Sequence, residues 1–294
     1  MRRPLLRRWQ VAGLSLLFLG NVLDGQVLLH DDFDGTSLNS NLWHADLFLI
    51  GRTDFSMDPV VSGGLCTLRL DTYDPSAPGV LFHSTQLGSN ALFAVGAGIE
   101  FESRMRILPG TPRGIVDAFF TYHFNETTAT ADEIDYEFLT NYLDPMGESR
   151  MLLTTWNNWD YVPSHANDGI HMATVFPLVP GWDPYQFNTY VIRWLPDRVE
   201  WVVNGTTVQT LMGAVPDEPM ALKADIWVPD SSWPLAFDFP LQPTANPALN
   251  QTYAVEIDSI TVRAIPEPSA RGLLMVGAAF MLFWMTRRCP MVLR

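Results

Sequence analysis

Three acidic residues occupy alternate positions in segment 132–139, which reads Asp-Glu-Ile-Asp-Tyr-Glu-Phe-Leu. Successive side chains of a β-strand point to opposite faces, so a strand here would place Glu133, Asp135 and Glu137 on one face. The intervening apolar and aromatic residues would then face the protein core. Three carboxylates in one row repel each other, so the arrangement needs either counter-charges or a chemical use.

Glycoside hydrolysis is one such use, because it needs an ionised carboxylate and a protonated carboxylic acid flanking the scissile bond. Crowding of like charges raises the proton affinity of one member of the set. In an ideal strand the Cα atoms of Glu133 and Glu137 lie about 13 Å apart, so the side chains of a retaining enzyme would have to lean together. Two other interpretations stay open. One is a solvated acidic edge strand, and the other is a calcium site, although a rigid strand does not wrap an ion as a loop does.

Short segments with strand-like composition surround this row. Residues 98–107 alternate apolar with polar side chains, and residues 115–124 are rich in aromatic residues. Asn204 and Gly205 separate two further segments and predict a hairpin, because both residues tolerate positive φ. Segment 235–251 contains three prolines and is predicted to be a surface loop. The sequence therefore predicts one all-β domain, a β-sandwich or jelly roll, over residues 26–265.

Both ends of the chain differ from this central domain. Residues 1–25 combine four arginines with a short apolar run, which is typical of a secretory signal peptide. Residues 266–294 begin with Pro-Glu-Pro and continue through a short apolar stretch to an arginine pair. This order resembles the PEP-CTERM sorting tail, which implies a transient membrane anchor. The sequence thus predicts an exported protein, located at the cell surface or outside the cell and anchored in the membrane before the tail is processed.

The charge of the chain restricts its partners. The full sequence has 18 basic and 32 acidic residues, and residues 26–265 retain 10 and 30 of them, respectively. A surface this acidic repels nucleic acid and anionic membranes, and it disfavours strongly sulfated or carboxylated polysaccharides. A neutral glycan meets no such penalty. The sequence does not indicate an oligomeric state.

Several motifs together resemble glycoside hydrolase family 16, the lichenase and laminarinase group. The acidic row, Glu-Ile-Asp-Tyr-Glu at residues 133–137, looks like the signature of that family. Residues 114–122, Gly-Ile-Val-Asp-Ala-Phe-Phe-Thr-Tyr, resemble the strand that precedes the catalytic strand in bacterial lichenases. Further similar pieces follow in the same order at residues 190–205 and 253–262. The resemblance covers roughly residues 28–264 and implies a concanavalin-like jelly roll of two curved antiparallel sheets.

The resemblance also implies an activity, endo-acting hydrolysis of a β-glucan with retention. Glu133 would be the nucleophile, Glu137 the general acid/base, and Asp135 would tune the nucleophile. The row has no residue inserted between Asp135 and Glu137, which resembles lichenases and xyloglucan enzymes more than laminarinases. A transglycosylase and a non-catalytic glycan-binding or matrix protein on the same fold are the alternatives.

Candidate sugar-binding residues are aromatic or carry amides, because pyranose rings stack on flat side chains and their hydroxyls form hydrogen bonds. They are Tyr122, Trp156, Trp159, Trp227, Trp233, Asn157 and Gln86. Core packing or loop structure is the competing interpretation for each of them. The chain departs from the family at Ala131, where lichenases have Trp, and at Asp225, where Asn is common. No cofactor is expected for catalysis, and Asp258 is a candidate ligand for a structural calcium ion.

Overall fold

The computed structural model describes residues 25–76, 80–143, 150–160, 170–175 and 181–266. The predicted signal peptide and sorting tail lie almost wholly outside these residues. Within the described residues, no helix has the length and hydropathy needed to cross a bilayer. Two 3₁₀ helices are present there, Thr140–Tyr142 and Pro247–Leu249.

The described strands form two sheets. Eighteen strands follow in chain order: β1 (Val27–Asp31), β2 (Trp43–Ala45), β3 (Phe48–Ile50), β4 (Thr53–Phe55), β5 (Val60–Ser62), β6 (Leu65–Asp71), β7 (Phe82–Ser84), β8 (Gln86–Phe93), β9 (Ile99–Ile107), β10 (Val116–Asn125), β11 (Thr130–Leu139), β12 (Met151–Asp160), β13 (Ile170–Val175), β14 (Asn188–Leu195), β15 (Arg198–Val203), β16 (Thr206–Met212), β17 (Met220–Trp227) and β18 (Thr252–Ala264).

One sheet has the order β13-β12-β11-β10-β17-β8-β2, and the other has the order β16-β15-β14-β9-β18-β6-β7-β4-β3. In the second sheet, β1 also pairs with β18 and β5 with β6. All these pairs are antiparallel except β4 and β7. The predicted β-sandwich jelly roll is confirmed.

The core lies between the two sheets and fixes the strand that carries the acidic row. Ile134, Tyr136 and Phe138 of β11 are buried against the opposite sheet. The Tyr136 hydroxyl lies 2.9 Å from the carbonyl oxygen of Val202 and 3.2 Å from that of Val191. The indole N–H of Trp201 donates to the backbone carbonyl of Asp135 at 2.9 Å. These bonds tie the backbone of β11 to the opposite sheet, so the alternate residues must project the other way.

Candidate active site

The acidic row lies at the centre of a cleft on the face of the β11 sheet that points away from the core. The register of β10 and β11 places Glu133 beside Tyr122, Asp135 beside Phe120 and Glu137 beside the small Ala118. The three acids line one cleft of about 740 Å³. The cleft is within the size range of about 300–1,000 Å³ of typical ligand sites.

Burial and mutual repulsion control the protonation of this row. Burial, followed by the charges of Asp135 and Glu137, raises the pKa of Glu133 well above its usual range. Burial also raises the pKa of Glu137, with further contributions from Asp135 and Asp225. The pKa of Asp135 is raised to about 7 by burial, although hydrogen bonds from Thr154, Glu133 and Trp156 oppose that rise. Groups this close titrate as one set, so the row holds protons near neutral pH and can supply both an acid and a base.

A second polar group lies on β17 and β8, which are two and three strands away from β11 in the same sheet. Gln86 of β8 donates from Nε2 to Oδ2 of Asp225 at 2.7 Å. The Lys223 ammonium is paired with Asp46 and lies 3.4 Å from Oε1 of Gln86. Gly88 leaves room for this pair, since a Cβ at that position would lie 2.7 Å from Oδ2 of Asp46. Lys223 is the one basic residue among the described residues that line the cleft.

Aromatic side chains form much of the rest of the cleft. The Trp227 ring lines it and stacks on Trp233, with the ring centroids 5.6 Å apart and the planes inclined by 23°. Tyr122, Phe120 and Phe124 lie along β10, and Phe48 and Phe55 lie on the β3–β4 hairpin. Flat apolar surfaces beside carboxylates suit a ligand with apolar ring faces and many hydroxyl groups.

Comparison with known proteins decides the family. The sequence profile described as Glycosyl hydrolases family 16 matches residues 52–238. The chain belongs to glycosyl hydrolases family 16. It is therefore an enzyme, a glycoside hydrolase that acts on O-glycosyl bonds.

Relatives and solved structures agree with this family 16 assignment. A β-glucanase of Bacillus amyloliquefaciens is 28% identical over 197 residues, which are 65% of this chain and 72% of that protein. The solved β-glucanase of Bacillus licheniformis has a TM-score of 0.62 at 19% identity and covers 81% of this chain and 98% of its own. The endo-β-1,3-glucanase from Pyrococcus furiosus has a TM-score of 0.61 at 16% identity, covering 83% and 95%. At these identities, the two structures show the same fold and nothing more specific.

The structure of this family 16 chain brings together only part of the predicted sugar-binding set. Tyr122, Gln86 and Trp227 line the cleft with the acidic row. The other four predicted residues, Trp156, Trp159, Trp233 and Asn157, are not among the described cleft-lining residues.

The structure gives these four residues packing or hydrogen-bonding contacts. Trp156 packs edge-on against Trp159 with the ring centroids 4.4 Å apart, and its side chain hydrogen-bonds to Asp135. The side-chain amide of Asn157 donates to the carbonyl oxygen of Val215 at 2.6 Å. The ring of Trp233 stacks on the ring of Trp227. Their role in sugar binding stays a prediction.

Several residues that line the cleft were not among the predicted site residues, and four of them, Asp225, Lys223, Asp46 and Phe48, show why. Asp225 and Lys223 alternate on β17 much as the acids alternate on β11, and that spacing was a usable signal. Asp46 and Phe48 reach the cleft through long-range pairing of short strands, which leaves no local pattern in the sequence.

The structure gives no support for the calcium prediction at Asp258. Its carboxylate forms an ion pair with Arg104 at 2.7 Å. No group of three or more His, Cys, Asp or Glu side chains within the described part of the chain could hold an ion. An anionic ligand already paired with a guanidinium does not fit a cation site.

Proposed function

We propose that this enzyme hydrolyses a β-glucan internally and with retention, with Glu133 as nucleophile and Glu137 as general acid/base. The observation that carries the proposal is the placement of both glutamates on one face of β11, in one cleft, with Asp135 between them. A retaining glycosidase uses such a pair, in which one carboxylate attacks carbon and the other moves a proton.

In the first step Glu133, ionised, attacks the anomeric carbon while Glu137 donates its proton to the departing glycosidic oxygen. The sugar is then joined to Glu133 by an ester bond. In the second step Glu137, now ionised, removes a proton from water, and the oxygen of that water attacks the anomeric carbon. The ester bond breaks, Glu133 leaves as a carboxylate, and the product keeps its β configuration. Asp135, hydrogen-bonded to Glu133, takes the proton that Glu133 must lose before it attacks.

The proposed substrate is a neutral β-glucan, in line with the β-glucanase relatives. The cleft supports neutrality, because it places Asp46, Glu126, Asp225 and the acidic row against the single cation Lys223 among its described lining residues. A sulfated or carboxylated sugar would meet repulsion there. The aromatic lining supplies the stacking surfaces that the apolar faces of glucose rings need.

The direct test is release of reducing sugar from lichenan, laminarin and xyloglucan by the full-length chain, with Glu133→Gln and Glu137→Gln alongside. We expect activity on at least one glucan and a loss of 10³-fold or more, as an order of magnitude, in each variant. Full activity in either variant would refute the role assigned to it. Added oligosaccharide acceptors would reveal transglycosylation, because they would capture the same glycosyl-enzyme.

Azide rescue assigns the two roles separately. With an aryl β-glycoside and azide, Glu133→Ala should give the α-glycosyl azide, because azide attacks once in place of the nucleophile. Glu137→Ala should give the β-glycosyl azide, because azide attacks the glycosyl-enzyme. The reversed pair of products would exchange the two assignments.

We further propose that the enzyme works outside the cytoplasm, on the basis of the signal-like residues 1–25 and the sorting-tail resemblance of residues 266–294. Cell fractionation with an antibody to the central domain tests this, and a purely cytoplasmic signal would contradict it.

A further inference from the structure

Asp225 of β17 is a buried carboxyl on the cleft floor that the proposed mechanism does not use. Its side chain is 4% exposed. Its Oδ2 accepts the hydrogen bond from Gln86, whereas its Oδ1 has no hydrogen-bond partner among the described residues. A buried polar atom without a partner is costly, so its retention on the floor of an active site calls for a role.

The register of the sheet aligns Asp225 with Glu137. Ala118 of β10 pairs with Glu137 on one side and with Asp225 on the other, so the three residues lie side by side on neighbouring strands. Neighbouring strands are spaced by about 4.8 Å, which puts the two acids about 10 Å apart at the backbone. The side chain of Ala118 is only a methyl group, so no bulky or polar side chain lies between the two carboxyl groups at this position of the sheet.

Charged groups reach Asp225 from several elements. They are Lys223 on the same strand, Asp46 from the β2–β3 connection, Asp117 on β10, and Glu133, Asp135 and Glu137 on β11. Lys223 is the one cation among them, and its ammonium is paired with Asp46 rather than with Asp225. An ionised Asp225 therefore has no cation in direct contact with it among these groups. Its negative charge raises the pKa values of Glu133 and Glu137.

We propose that Asp225 is a positioning residue for the catalytic proton, holding it on Glu137 by repulsion across Ala118 and so extending activity toward higher pH. This inference rests on the proposed function, since it acts through Glu137. Burial raises the pKa of Asp225 to about 7, with hydrogen bonding to Gln86 and the charge of Lys223 limiting the rise. Asp225 thus carries its charge above about pH 7, and that charge raises the pKa of Glu137.

The sign of the effect follows from the charge. Removing the negative charge of Asp225 makes ionisation of Glu137 easier and lowers its pKa, so the protonated acid is lost at a lower pH. The basic limb of the kcat/KM profile should move down by about one pH unit. This is the size expected for two charges about 10 Å apart at an effective dielectric constant of about 20.

The experiment compares pH profiles of kcat/KM for the full-length parent, Asp225→Asn and Glu126→Gln on the best glucan found. Asp225→Asn keeps the shape of the side chain and an oxygen that can accept from Gln86. Glu126 also lines the cleft but is exposed, so Glu126→Gln removes an equal charge where solvent screens it. We expect the basic limb to move in Asp225→Asn only. An equal loss at every pH, with the limb unmoved, would overturn the proposal in favour of a substrate contact or a structural role.

A second readout separates this inference from the proposed function. The chain has ten glutamates, so ¹³C-carboxyl labelling can resolve Glu137, assigned by its absence in Glu137→Gln. The pKa of Glu137 should fall in Asp225→Asn even if no tested glucan is hydrolysed. Should Asp225→Asn fail to fold, Asp225→Ala gives the same comparison. An unchanged Glu137 titration in a folded variant would overturn the proposal.

Discussion

At the scale of single residues, hydrogen bonds to Asp135 influence how the acidic row holds its protons. The Thr154 hydroxyl donates to Oδ2 of Asp135, and the Trp156 side chain adds a second bond. Both bonds favour the ionised form and oppose the effect of burial, which is the larger of the two. These bonds therefore limit the rise in the pKa of Asp135 to about 7.

Thr154→Val tests this balance, because it removes the hydroxyl and keeps the shape. Loss of the bond raises the folded pKa of Asp135 further above its unfolded value, so the deficit in stability must grow as pH rises. We expect a loss of about 1 kcal/mol at pH 5, where Asp135 is neutral, and about 1.5–3 kcal/mol at pH 9, where it is charged. Denaturant unfolding at both pH values measures this, with Thr154→Ser as the control that retains the hydroxyl. Equal deficits at the two pH values would contradict the assignment.

For single residues, the sequence predicted only what the alternation of side chains along a strand determines, namely which residues share a face. The acid–apolar alternation in β11 is enough to put Glu133, Asp135 and Glu137 on one face. It does not reveal that Asp46 reaches Lys223, because those residues are 177 positions apart and meet only when β2, β8 and β17 pair. Nor does it show that Asn157 bonds to Val215 instead of lining the cleft.

At the scale of elements, Arg52 fastens the loop that carries Trp233. Its guanidinium donates to three backbone carbonyl oxygens, those of Pro229, Asp238 and Leu241, at 3.1, 3.4 and 2.8 Å. The rings of Phe82 and Phe237 lie 5.3 and 4.9 Å from its central carbon. The planar fork of an arginine suits several acceptors at once, and a lysine cannot reproduce it.

Arg52→Lys should therefore destabilise the protein by about 2–3 kcal/mol, because it leaves partly buried carbonyl groups without donors. It should also weaken the near-UV circular dichroism of the stacked Trp227–Trp233 pair before global unfolding. Arg113→Lys is the control, because Arg113 is exposed and its loss should cost less than about 0.5 kcal/mol. An unaltered tryptophan signal in Arg52→Lys would show that the contacts of Arg52 do not position the Trp227–Trp233 pair.

Elements were predictable from sequence where the signal was local. The Asn204–Gly205 hairpin joins β15 and β16 with φ values of 48° and 78°, the positive values that favoured those two residues. The alternating segment 98–107 contains β9, which begins one residue later, at Ile99. The three-residue strands β2 to β5 were not predicted, because so few residues cannot display a period and their pairing depends on distant strands.

At the scale of the whole molecule, the enzyme gathers acidic groups in a cleft where burial opposes their charge. Glu133, Asp135, Glu137 and Asp225 share that cleft, and all four have pKa values raised by burial. Asp117 lies behind them in the core, where burial also raises its pKa. Buried acids with raised pKa values lower the stability of the folded state at neutral pH, a cost that is common at catalytic sites.

The stability of the folded enzyme should fall as pH rises from 5 to 8. Each of these acids has a higher pKa folded than unfolded, so the folded state holds more protons in this range, and raising the pH favours unfolding. Each group that still holds its proton contributes about 1.4 kcal/mol per pH unit. The acids with lowered pKa values, Asp74 and Asp230 among them, stabilise the folded state and lose that contribution only below about pH 4. They therefore do not offset this trend between pH 5 and 8.

Denaturant unfolding of the full-length chain at pH 5, 6, 7 and 8 measures that slope. Glu137→Gln and Asp225→Asn each remove one titrating group, so each variant should show a shallower slope than the parent and greater stability at pH 8. The Glu126→Gln control should follow the parent, because its carboxyl is exposed in both folded and unfolded states. A parent stability that stays level or rises between pH 5 and 8 would mean that the cleft acids are ionised without cost. The proton supply attributed to them would then have to come from elsewhere.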